Sequence, residues 1–101
     1  MSFESLRRRG DFARVRGRGR RTQTPRLAVY SLVKREGPVR VGIVVGRTVG
    51  GAVERNRIRR RLREAVRRLL GTAPRDLVIV ARAGSGRASY AELARELAGA
   101  L

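Results

Sequence analysis

Cysteine, histidine and tryptophan are all missing from this 101-residue chain. Without cysteine there are no disulfides and no thiolate metal sites. Without histidine the commonest general base and the commonest metal ligand are gone. No apolar run approaches the ~18 residues that spanning a bilayer requires. The opening MSFESLRRRGDF is charged early and lacks the apolar core of a secretory signal, so a cytoplasmic location is expected. No two carboxylates stand at a spacing that suggests an acid/base pair or a metal clamp. Ser85 sits in GSGRAS, which lacks both the flanking pattern of a nucleophile elbow and a partner histidine. The inventory therefore speaks against an enzyme acting alone.

What the chain has instead is positive charge. Lysine and arginine number 25 against 8 acids, a net +17, and Lys34 is the only lysine. Self-repulsion at that charge opposes compaction, so a polyanion should stabilise the fold as well as bind it. The guanidinium fork pairs with phosphate through two hydrogen bonds and stacks on bases, which suits structured RNA. The densest segment is ERNRIRRRLREAVRRLL, Glu54 to Leu70. Ile58, Leu62, Ala65, Val66 and Leu69 recur there at helical spacing as one apolar stripe. Asn56, Arg60, Arg63 and Arg67 lie opposite, with Arg59 beside them. Glu64 is placed to pair with Arg61 and Arg68. A membrane-surface helix is the weaker reading, because the stripe is narrow and aliphatic and the strongly apolar strands need a cover.

The remainder reads as one domain over residues 1–101, with residues 1–10 a mobile basic tail. Asp11 can cap a short helix carrying Phe12 and Val15, closed by Gly17 and Gly19. Residues 18–26 read as a loop, with a possible short strand near 20–26. LAVYSLV (27–33) and VRVGIVVG (39–46) read as strands joined by the turn REGP into an antiparallel hairpin. After the basic helix, stopped by Gly71 and Pro74, DLVIVAR (76–82) is another buried strand. SYAE (89–92) is a capping box opening a last helix to about Leu97. Of the four aromatics, Tyr90 is expected to pack that last helix, whereas Phe12 and Tyr30 suit either a core or a stacked base.

The ordered segments RGDFARV, LAVYSL, RVGIVVGRTVGGAVERNRIRRRLRE, DLVIVAR and SYAEL resemble the protein subunit of bacterial ribonuclease P, from about Asp11 to Leu97. The most specific stretch is GGAVERNRIRRRLR, with the Arg-Asn-Arg signature at Arg55, Asn56 and Arg57. The resemblance implies an α+β fold: a small sandwich of mixed sheet and packed helices in the order αβββαβα, like domain 2 of ribosomal protein S5. It also implies a left-handed βαβ crossover, against the usual right-handed rule. It implies that a catalytic RNA with Mg2+, held mainly by that RNA, removes the 5′ leader of precursor tRNA. The protein would assist, 1:1 with the RNA, without catalytic residues, a bound metal of its own or a membrane. By position, Arg47, Arg55, Asn56, Arg57, Arg59, Arg60, Arg63 and Arg67 would face the catalytic RNA. Phe12, Arg16 and Tyr30 would line a cleft for the leader, with Arg16 standing where the family has a second aromatic. Gly46, Thr48 and Gly51 also depart from the family pattern. The rival readings are a structural RNA-binding protein of ribosomal type and a nucleoid DNA binder.

Overall fold

A computed structural model describes residues 3–101. The elements are β1 (Glu4–Ser5), α1 (Arg9–Arg18), β2 (Arg20–Gln23), β3 (Leu27–Val33), β4 (Arg40–Val45), α2 (Ala52–Leu69), β5 (Arg75–Ala81) and α3 (Tyr90–Ala100). Short 3₁₀ turns at Arg47–Val49 and Ser85–Arg87 precede α2 and α3. The five strands form one mixed sheet in the order β1-β4-β5-β3-β2.

Side-chain alternation divides the strands between two apolar layers. Val29, Val41, Val45, Leu77, Ile79 and Ala81 point to one side, where Ile58, Leu62 and Val66 of α2 and Leu93 and Leu97 of α3 cover them. Val78 points to the other side with Val15 of α1 and Leu6, and Phe12, Tyr30, Leu32, Val44 and Val80 pack partly buried around them. The result is α1 on one face of the sheet and α2 with α3 on the other.

Several expectations are corrected by the fold. β3 and β4 are not hairpin partners: β5 lies between them, antiparallel to β3 and parallel to β4. β5 is the most buried strand, because a central place covers both of its faces and satisfies both of its edges. The link from β3 to β4, with Gly37 at φ 101°, spans two strand spacings rather than one. The mobile tail is also replaced from residue 3 onward; Met1 and Ser2 lie outside the described residues. Glu4 and Ser5 pair with Arg40 and Val41, and Leu6 is buried. Finally, Leu69 is 40 % exposed and Leu70 is buried in its place, because the helix ends at Leu69 and the chain turns extended.

Asp11 does not cap α1 but sits in its first turn, where a negative charge complements the helix dipole. It pairs with Arg14 at 3.3 Å and Arg40 at 3.4 Å. Asp76, read from sequence as a strand-end residue, is wholly buried. Arg40 donates to both of its oxygens, at 3.0 and 2.7 Å, while Arg14 reaches it at 3.0 Å and Lys34 at 2.8 Å. Burial by itself would raise the Asp76 carboxyl, but the hydrogen bonds and charges of Arg40 and Lys34 outweigh it and hold it below its ordinary value. At the other end of the sheet, Glu96 of α3 accepts from Thr24 Oγ1 at 2.6 Å and from the Arg26 backbone and guanidinium at 2.9 and 2.7 Å. The Ser89–Glu92 capping box is present as expected.

Candidate nucleic-acid interface

α2 begins at Ala52 with Gly51 at its N-cap, two residues after Gly50, whose φ of 153° suits the glycine found there. With Ile58, Leu62, Ala65 and Val66 buried against the sheet, helical geometry turns Asn56, Arg59, Arg60, Arg63 and Arg67 into solvent. Asn56 Oδ1 accepts from Arg59 at 3.2 Å. Together with Val53, residues Asn56, Arg59, Arg60 and Arg63 line an open concavity of ≈ 630 Å³. Among the described residues no carboxylate lies within ion-pair distance of Arg59, Arg60 or Arg63. Like charges at helical spacing repel, so this face is stabilised when an anion meets it.

The other predicted residues of this set differ in situation. Arg55 and Arg57 are half-buried, and Arg55 Nε is enclosed without a hydrogen-bond partner. Arg47 is exposed in the 3₁₀ turn leading into α2. Arg67 is exposed but bonded to Glu64 at 2.9 Å, and Arg68 reaches the same carboxylate at 3.1 Å. The expected pair of Glu64 with Arg61 is corrected: Arg61 instead donates to the Ala88 carbonyl at 2.6 Å. That bond ties α2 to the turn before α3.

Phe12, Arg16 and Tyr30 come together on the opposite face of the sheet. Phe12 lies over Gly42, where an added Cβ would stand 2.5 Å from the ring's Cζ. The glycine thus lets α1 settle close to the sheet. Arg16 sits over the Tyr30 ring, 5.4 Å from its centroid, and Arg21 at 5.9 Å. Arg21 Nε also donates to the Tyr30 hydroxyl at 3.2 Å. Burial pushes the Tyr30 phenol up, but the hydrogen bonds and charges of Arg21 and Arg16 prevail and bring it below its usual value. Guanidinium groups therefore flank this ring.

The predicted residues thus form two sets separated by the sheet. Sequence reasoning missed Arg21. Its signal was available: a β2–β3 hairpin closed around Thr24 and Pro25 places Arg21 opposite Tyr30, as the register does.

The family model described as Ribonuclease P matches residues 1–101. The ribonuclease P protein component of Acidothermus cellulolyticus is 51% identical over 96 residues, covering 90% of this chain and 79% of that protein. Its counterpart from Streptomyces bikiniensis is 44% identical over 110 residues, covering 95% and 87%. Among solved structures, the RNase P protein of Thermotoga maritima superposes with a TM-score of 0.81 at 28% identity, covering 95% of this chain and 93% of that one. The Staphylococcus aureus RNase P protein gives 0.86 over 99% and 93%, at 24% identity, a likeness of fold.

Proposed function

The chain belongs to the ribonuclease P protein family, and on that premise we propose that α2 holds the catalytic RNA while the α1 face takes the 5′ leader of precursor tRNA. Membership carries a role in an endoribonuclease holoenzyme and partnership with its RNA subunit. The observation that carries the rest is the row of Arg59, Arg60 and Arg63, exposed side by side with no carboxylate partner among the described residues, on a helix fixed to the sheet. Phosphates supply the missing counter-charge. Asn56 adds a neutral amide that can both donate and accept.

On the other face, Phe12 and Tyr30 offer ring surface, and Arg16 and Arg21 offer planar cations. An unpaired strand can stack its bases there and place its phosphates on the guanidinium groups. Arg16 replaces an aromatic ring with a cation that also stacks. The two sets face opposite ways, so one protein, 1:1 with the RNA, bridges ribozyme and substrate.

The described residues contain no group of three or more acids that could hold a metal ion. Asp11, Asp76, Glu64, Glu92 and Glu96 are already paired with cationic side chains. These residues do not fit a magnesium cage, and the Mg2+ of the reaction is assigned to the RNA. The protein's part is to bind, orient and neutralise.

The test is single-turnover cleavage of a precursor tRNA by a bacterial ribonuclease P RNA at low magnesium, with and without this protein. The expected result is a large protein-dependent rise in rate with the cut at the 5′ end of the mature tRNA. Tight RNA binding with no rise would hand the function to the structural RNA-binding reading.

A further inference from the structure

Arg60 borders two concavities. One is the groove over Val53 and Asn56. The other, ≈ 420 Å³, lies on the opposite flank of α2 and is lined by Arg57, Arg60, Arg61, Glu64 and, from α3, Tyr90. Tyr90 packs partly against the apolar core and also lines this second groove. The arrangement is held in place. Arg61 clamps the Ala88 carbonyl, two residues before Tyr90, and the Ser89–Glu92 capping box fixes the first turn of the helix that Tyr90 begins.

We propose that this second groove is a nucleotide site, in which an unpaired base of the catalytic RNA stacks on Tyr90 and its phosphates lie on Arg57 and Arg60. The inference rests on reading the outer face of α2 as an RNA surface. It adds a residue of α3 to that surface and gives the surface a means of engaging a base.

Three features favour a nucleotide over a bare phosphate. The groove has an aromatic wall, which contributes to binding only if something planar lies on it. It contains the Glu64 carboxylate, which Arg67 and Arg68 hold in place and whose remaining lone pairs can accept from the amino edge of a base. And the two tyrosines differ: Arg16 and Arg21 lie over the ring of Tyr30, while among the described residues no guanidinium is stacked on Tyr90. Its accessible surface is therefore open to a base.

The experiment uses the full protein assembled with a bacterial ribonuclease P RNA, without precursor tRNA. Zero-length ultraviolet crosslinking followed by peptide mass spectrometry should find a nucleotide adduct on Tyr90. Tyr90→Leu keeps an apolar side chain for the core but removes the ring, and should weaken RNA binding about tenfold. The salt dependence should stay unchanged, since no ionic contact is lost. Tyr90→Phe should bind as the unaltered protein does. A Tyr90→Leu protein of undiminished affinity, or a crosslinked complex with no adduct on Tyr90, overturns the proposal. If Tyr90→Leu fails to fold, the adduct on the unaltered protein decides. Arg63→Ala, which lies outside this groove, separates the two levels. Loss of affinity there with none in Tyr90→Leu rejects the nucleotide site and keeps the RNA face; no loss in either rejects both.

Discussion

Asp76 shows how much one side chain can organise. Its carboxylate gathers Arg14 from α1, Arg40 from β4 and Lys34 from the link between β3 and β4, so it fixes α1 to the face where Phe12 and Tyr30 meet. Asp76→Ala leaves three cations clustered without their buried counter-ion. The expected cost is about 3 kcal/mol, near the low end for a broken buried pair because the cations are partly exposed; urea unfolding measures it. The carboxyl is held below its ordinary 3.8, so its contribution is fully present above that pH and is lost as pH falls through the depressed folded value. Glu92, lowered chiefly by its hydrogen bonds with Ser89, acts with the same sign, as does Glu96, where bonds from Thr24 and Arg26 overcome the effect of burial. Stability should therefore decline into acid, and Asp76→Ala should flatten that decline. At Tyr30 the expected outcome is a phenol that ionises below 10.0, moved upward by Arg21→Ala, in an ultraviolet titration compared with Tyr30→Phe. The role of Asp76 was not legible in the sequence. A single Asp before LVIV looks like any strand end, and its three partners are 62, 42 and 36 residues away by number.

At the scale of elements, periodicity carried most of the reading. The stripe of Ile58, Leu62, Ala65 and Val66 placed the basic helix and its exposed face, and SYAE marked the start of α3. Pairing between distant strands was not legible. LAVYSLV and VRVGIVVG are both apolar and separated by turn residues, which describes a hairpin equally well, and only the position of β5 excludes it. Tyr90 was half legible: its packing on the core followed from the last helix, but its second face depends on where Arg61 anchors. For α2 itself, about five arginines on phosphates give a slope of log affinity against log salt of roughly −3.5 to −4.5. Arg60→Ala with Arg63→Ala should weaken binding of the catalytic RNA and reduce that slope by roughly 1 to 2 units. An unchanged slope would remove this face from the interface.

For the molecule as a whole, net charge sets the balance. With +17 on 101 residues, the folded state concentrates repulsion that the unfolded chain dilutes. An anion that binds only the folded protein should therefore raise its melting temperature. Pyrophosphate at ten times its dissociation constant adds about 1.4 kcal/mol, or about 6–11 °C for a domain of this size. Sodium chloride at matched ionic strength is the control, and an equal rise there would reduce the effect to screening. The strand order has a consequence in time. β3 and β4 are made early but are joined only through β5, so the sheet cannot close until residues 75–81 have been translated. At about 5–20 residues per second, the nascent chain waits a few seconds with the β2–β3 and β1–β4 pairs unjoined and its arginine-rich segment already displayed. Cellular RNA can thus meet that segment before the protein has finished folding.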